Sequence, residues 1–196
     1  LYRTKKGLFQ KDVVTKLDVI MPALHGTNCE DGTFQGVMEF SGIPYTGCNT
    51  LASANGMDKI TMKMILKECG IPVIDYCWFS DKEWADKQES CIERVEKELG
   101  YPVIVKPDSG CGAEATYKLK CQEDLDNFYA NYPPYPYIME EFITGTIVSF
   151  DGIAGPDAVP LFWTSNEFPT PILDSVADYG DLCYWTVPQI DEKLKD

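Results

Sequence analysis

The chain has 196 residues, enough for one large domain or two small ones with a real core. Its net charge of −14 argues against unaided nucleic-acid binding, because phosphate contacts need clustered Lys and Arg. Apolar residues make up 44% and charged residues 24%, an ordinary soluble composition, and no run of about 18 apolar residues offers a membrane span.

No apolar segment of the signal-peptide kind follows the cations of the first twelve residues. The chain opens on Leu1 rather than Met, so it is expected to begin part-way into a larger protein. Eight cysteines are scattered with no C-x-x-C pair, and there is a single histidine. A structural zinc site is therefore not expected, and reduced thiols in a cytosolic protein are.

In chain order, residues 17–23 form the first apolar stretch and predict a strand. The segment Pro22-Ala23-Leu24-His25-Gly26-Thr27-Asn28-Cys29-Glu30-Asp31-Gly32 follows, at a strand-to-helix turn of the kind that lines ligand crevices in α/β sheets. It holds the one histidine beside two acids. A lone histidine there also has an ordinary structural reading, and Asp31 suits a helix cap. Phe34, Val37, Met38 and Ser41 then share a helical face.

Met57, Ile60, Met64 and Ile65 mark a second helix, opened by Met57-Asp58-Lys59. A cation near a helix N-terminus is electrostatically disfavoured unless an anion joins it, so Lys59 is either a phosphate ligand or a solvated surface lysine. Ser80 and Glu83 form a capping-box pair ahead of the third helix, whose apolar face is Trp84, Cys91, Ile92, Val95 and Leu99. Each of these helices ends in Gly-x-Pro: Gly42-Ile43-Pro44, Gly70-Ile71-Pro72 and Gly100-Tyr101-Pro102. Gly suits the left-handed residue past a helix end, and Pro blocks continuation and opens an extended run.

Residues 101–106 predict a strand ending in Lys106, followed by the small-residue loop Pro107-Asp108-Ser109-Gly110-Cys111-Gly112-Ala113. Such a loop lets backbone N–H groups surround phosphate oxygens while the lysine adds a point charge. It is neither a P-loop nor a dinucleotide fingerprint. The Pro-rich stretch 132–137 ends a helix and leads into a strand over 137–142. That strand closes on Glu140, Glu141, Phe142 and Ile143, where a backbone edge and a carboxylate can meet a flat base or accept amino protons. Surface acids are the plainer reading. Strands over 147–153 and 159–164, joined at Gly155-Pro156-Asp157, predict a hairpin. The fold class is α/β moving into α+β. No G-x-S-x-G elbow is present, and nothing singles out one of eight cysteines as a partner for His25.

The order of these segments resembles the ATP-grasp superfamily. Residues 17–75 resemble D-alanine–D-alanine ligases most closely, through Pro22-Ala23-Leu24-His25-Gly26, Glu30-Asp31-Gly32-Thr33, Gly42-Ile43-Pro44-Tyr45-Thr46-Gly47, and Leu51-Ala52-Ser53-Ala54 before Met57-Asp58-Lys59. From about residue 100 the chain looks more like other ATP-grasp carboxylate ligases, since the loop at 108–113 lacks paired serines. The resemblance implies a partial ATP-grasp fold: residues 1–47 from a substrate domain, 48–139 as the small subdomain, and 140–196 opening the large one. It implies catalytic or substrate roles for His25 and Glu30. It implies nucleotide contacts from Lys59, Lys106, Ser109, Gly110, Gly112, Glu140, Glu141, Phe142 and Ile143.

ATP and Mg2+ are the implied cofactors, with metal ligands expected beyond residue 196, and a small amino acid is the implied substrate. Where the family places a ribose-binding glutamate, this chain has Gly145-Thr146. The implied reaction is carboxylate phosphorylation followed by amine attack, joining two D-alanines for peptidoglycan precursors in the cytoplasm, with a homodimer as a candidate assembly. The alternatives are an ATP-grasp ligase with a different amine acceptor and a non-catalytic nucleotide-binding module. The segment alone is expected to be inactive.

Overall fold

A computed structural model describes residues 2–4, 13–110, 115–131, 136–157, 159–170, 181 and 183–187. The chain divides into two compact units, Leu1–Glu141 and Phe142–Asp196.

The first unit opens with an antiparallel pair, β1 (Tyr2–Thr4) and β2 (Val13–Thr15). Three helices follow: α1 (Thr33–Ser41), α2 (Thr50–Met57) and α3 (Lys59–Glu68). Then come β3 (Tyr76–Trp78), α4 (Asp81–Glu98), β4 (Val103–Pro107), β5 (Tyr117–Leu119), α5 (Gln122–Asn131) and β6 (Tyr137–Glu141). Strands β3 to β6 form one antiparallel sheet in the order β3-β6-β4-β5.

The register of that sheet separates its two faces. Val103, Val105, Met139, Cys77 and Leu119 fall on one face. They are buried against Cys91, Ile92 and Val95 of α4 and Leu125 and Phe128 of α5. Each such aliphatic side chain contributes about 1.5–3 kcal/mol by leaving water. Burial pushes the Cys77 thiol up to about 12, so it behaves as an inert apolar filler. Tyr76, Ile104, Lys106, Ile138 and Glu140 lie on the opposite face, which carries the site below.

The three Gly-x-Pro junctions behave as expected, with Gly42, Gly70 and Gly100 at φ 68°, 73° and 69°. The α4 apolar face is also as expected. The capping box before it is half made: Ser80 Oγ accepts from the Glu83 N–H at 3.2 Å, but the Glu83 carboxylate turns to Arg94 at 2.8 Å.

Three expectations fail. Residues 17–23 make only one parallel bridge, Ile20 to Tyr45, because Ile20 alone exchanges backbone hydrogen bonds, with Pro44 and Thr46. Met57 ends α2 rather than beginning α3, because Asp58 breaks the helix at φ −79°, ψ 105° and caps the next one. On α3, Met64 and Ile65 are exposed while Ile60 and Lys63 are buried, so the buried face is not the apolar stripe read from the sequence.

The second unit is an antiparallel sheet of β7 (Ile147–Ala154), β8 (Pro160–Phe168) and β9 (Trp185–Val187), in that order. β7 and β8 form the expected hairpin, closed where the Gly155 N–H donates to the Val159 carbonyl at 2.9 Å.

Candidate functional site

The centre of the candidate site is a buried carboxylate between two lysines. Alternation along β4 puts Val103 and Val105 in the core and turns Ile104 and Lys106 to the other face. Glu140 on β6 stands opposite Ile104 on one side and Tyr76 on the other. Glu140 is only 3% exposed. Its Oε2 lies 2.6 Å from Lys106 Nζ, and its Oε1 lies 3.1 Å from Lys63 Nζ.

Both contacts are ion pairs, and they differ in length and exposure. Oε1 has no hydrogen-bond partner despite the short distance, so the Lys63 contact is an ion pair without hydrogen-bond geometry. Lys63 is itself buried, at 7% exposure, with its ammonium 5.3 Å from the centroid of the Tyr76 ring. The Lys106 side chain is 28% exposed. A buried carboxylate costs several kcal/mol unless paired, and here two cations serve one anion.

Lys59 is four residues before Lys63, one helical turn away on the same side of α3. Its Nζ donates to the carbonyls of Asp108 at 3.2 Å and Gly110 at 3.0 Å. Its backbone N–H also donates to the Asp108 carbonyl, at 3.0 Å. The next two N–H groups of α3 are taken as well: Ile60 by Asp108 Oδ1 at 3.1 Å, and Thr61 by Asp58 Oδ1 at 2.6 Å. The sequence suggested a phosphate at this helix start to offset the lysine. The chain supplies the anions itself, from Asp58 and Asp108. The same contacts fasten the base of the loop after β4 to α3. Burial pushes the Asp108 carboxyl up from its ordinary value, the Ile60 N–H pulls it down, and the neighbouring Asp58 charge raises it.

Ser109 is exposed, and Gly110 takes φ 138°, a backbone that favours glycine. Gly112 lies outside the described residues. Glu141 is engaged with the edge of β3: its carboxylate accepts from the Asp75 N–H at 2.9 Å, and its own N–H donates to the Asp75 carbonyl at 3.1 Å. Phe142 and Ile143 open the second unit and are exposed.

The His25 segment is built separately. The Gly26 carbonyl accepts from Cys29 and Glu30 N–H groups, and the Glu30 carboxylate accepts from the Gly26 N–H. Asp31 accepts from the Asn28 N–H at 2.7 Å and the Thr33 N–H at 3.0 Å. These bonds, Thr33 first, hold its carboxyl below the usual range. The N-cap of α1 is Gly32 rather than the Asp31 suggested by the sequence; Asp31, one residue earlier, accepts from the first helical N–H instead. His25 projects with 92% of its side chain exposed, and its Nδ1 is 4.0 Å from Glu30 Oε1. Gly32 is required at the turn: its φ is 92°, and a Cβ there would sit 2.6 Å from the Thr50 carbonyl oxygen.

Lys63 was missed in the sequence because it falls among apolar residues of a helix and carries no motif of its own. Its spacing of four from Lys59 was the available signal. Among the described residues, no group of three or more His, Cys, Asp or Glu side chains is placed to hold a metal ion. No described helix is long and apolar enough to cross a membrane. A hollow of about 700 Å3 beside β3, lined by Ile71, Val73, Asp75, Tyr76, Trp78 and Arg94 among others, contains none of the site residues expected from the sequence.

Comparison with known proteins decides the family. A model described as the D-ala D-ala ligase N-terminus matches residues 2–48, and one described as the D-ala D-ala ligase C-terminus matches residues 65–145. The chain belongs to the D-alanine–D-alanine ligase family. The match to this family continues past residue 100, where the motifs alone pointed to other ATP-grasp ligases.

A D-alanine–D-alanine ligase from Acetivibrio thermocellus is 41% identical over 146 residues, covering 74% of this chain and 39% of the relative. One from Bacillus velezensis is 38% identical over 173 residues, covering 87% of this chain and 49% of the relative. Among solved structures, the VanG D-Ala:D-Ser ligase from Enterococcus faecalis gives a TM-score of 0.71 at 27% identity, over 92% of this chain and 53% of that one. The Bacillus anthracis D-alanine–D-alanine ligase complexed with ATP gives 0.64 at 26%, over 91% and 55%. The fold is therefore a partial ATP-grasp fold, mixed α/β to α+β. This family member spans about two fifths to one half of the length of the relatives it matches.

Proposed function

We propose that the protein to which this chain belongs is a cytoplasmic ATP-dependent ligase that joins two D-alanines for peptidoglycan precursors through an acylphosphate. The observation that carries this reading is the Glu140–Lys106 pair at the end of a sheet, beside a glycine loop fastened to α3 by Lys59. Glu140, at the end of β6, is assigned as the carboxylate that accepts from the exocyclic amine of adenine. Lys106 reaches the surface, where its ammonium meets a phosphate oxygen. Lys59 holds the base of the loop carrying Ser109, Gly110 and Gly112, whose N–H groups would close over the phosphates and exclude water from the acylphosphate.

Glu141, Phe142 and Ile143 continue the base-binding segment. His25 and Glu30, an exposed pair on a rigid turn, are assigned to the amino-acid substrate. Residues 1–47 belong to the substrate domain, 48–139 to the small subdomain and 140–196 to the large one. Mg2+ would accompany the nucleotide and offset phosphate charge. The described residues supply no ligand set for it.

The test is phosphate release by the full-length protein with ATP, Mg2+ and a panel of D- and L-amino acids. D-alanine-dependent release is expected; release indifferent to every amino acid rejects the reading. A second acceptor has a specific motive, because the similar VanG structure is a D-Ala:D-Ser ligase. Mass spectrometry of the product with D-alanine and D-serine supplied together separates the two.

A further inference from the structure

Glu140 is shared by two lysines that differ in burial. Lys63 is enclosed, at 7% exposure, under the carboxylate and beside the Tyr76 ring. Lys106 is partly exposed and makes the shorter contact, 2.6 Å. The nucleotide reading asks Lys106 to serve a phosphate oxygen. That demand conflicts with its bond to Glu140 if Lys106 is the sole counter-ion, because a departing Lys106 would leave a buried carboxylate unpaired.

Lys63 removes the conflict. It sits on the far oxygen of Glu140, on a helix whose N-terminus is fixed by Asp58 and Asp108. Its contribution there is the charge that balances the buried carboxylate. We propose that Lys63 is a positioning residue: the fixed counter-ion of Glu140 that lets Lys106 turn from Glu140 to the nucleotide phosphates. The inference rests on the nucleotide reading given above. Lys63 touches no substrate in this account. It acts through Glu140 and Lys106.

The sharing predicts selective damage. Removing the Lys63 charge pins Lys106 to Glu140 and weakens phosphate binding, while the contacts to the base stay in place. A general loss of packing weakens all nucleotide binding together. The informative quantity is therefore the ratio of ATP to adenosine affinity.

The experiment is titration calorimetry on the full-length protein with ATP and with adenosine, for wild type, Lys63→Met, Lys63→Arg, Glu140→Gln and the double variant Lys63→Met/Glu140→Gln. The ATP-to-adenosine ratio is expected to fall at least tenfold in Lys63→Met and to recover in Lys63→Arg. In the Glu140→Gln background the carboxylate needs no counter-ion, so adding Lys63→Met should leave the ratio unchanged. An unchanged ratio in Lys63→Met overturns the proposal, whether both affinities hold or both fall together. If Lys63→Met does not fold, the double variant decides: an equal tenfold loss on top of Glu140→Gln overturns the proposal, and no added loss upholds it. A wild type that binds no ATP removes the nucleotide reading itself, a result distinct from either.

Discussion

The two polar regions of the first unit are built on opposite principles. The Glu140 cluster is a charge network inside the protein, with its members drawn from α3, β4 and β6. The His25 turn is held by local hydrogen bonds from backbone N–H groups to the Gly26 carbonyl and to the Glu30 and Asp31 carboxylates, and its histidine stands in solvent. A site for phosphates gains from desolvated charge, which acts strongly and keeps its geometry. A site for a small amino acid can instead present an exposed pair on a stiff turn and be completed by other parts of the protein. The same contrast says where mutations should be felt in folding and where only in activity.

The largest stability effect is expected from Glu140→Ala. It leaves Lys63 buried without its anion and should cost about 3–5 kcal/mol, measured by urea unfolding. A loss below about 1 kcal/mol would mean that the cluster is solvated rather than enclosed. On the other side of the comparison, Gly32→Ala forces a left-handed residue and a contact with the Thr50 carbonyl. It should cost about 2 kcal/mol or more, read as a lowered Tm.

The pH response should differ in sign between the regions. Burial holds the Asp108 carboxyl above its ordinary value of 3.8, so its contribution is fully present below that value and is lost as pH rises through the folded value. Asp108→Asn should therefore gain stability relative to wild type between pH 3 and pH 7. Asp31 is held below 3.8 by the Thr33 and Asn28 N–H groups, so its contribution is present above that value and is lost as pH falls. Asp31→Asn should lose its disadvantage in acid. Parallel unfolding curves across this range check both, and trends of the same sign would contradict the assignments.

The smallest stability effect belongs to His25→Ala, within about 0.5 kcal/mol, because the side chain is solvent-exposed. Amino-acid-dependent turnover by the full-length variant should nevertheless fall, and turnover equal to wild type would remove His25 from the substrate site.

Local signals were the legible ones. Three glycines followed by proline two residues later marked three helix ends, because only φ > 0 was being asked of each glycine. The α4 stripe gave its buried face, because that helix packs one side on the sheet core. The motifs around His25, Lys59, Lys106 and Glu140 gave the family. What failed depended on distant partners. Residues 17–23 have strand composition but only one bridging neighbour. The α3 face was misread because the buried residue at its centre is a lysine, and its burial is fixed by Glu140, far away in sequence. Asp108 read as part of the small-residue loop, yet it accepts from the N–H of Ile60 in the first turn of α3, 48 residues earlier.

The most direct test of the account is ATP binding to full-length Lys106→Met, set beside His25→Ala and measured by calorimetry. The account predicts that Lys106→Met loses at least tenfold in ATP affinity while His25→Ala binds ATP as wild type does. Wild-type affinity in Lys106→Met, or an equal loss in His25→Ala, would contradict the placement of the nucleotide on the Glu140 cluster.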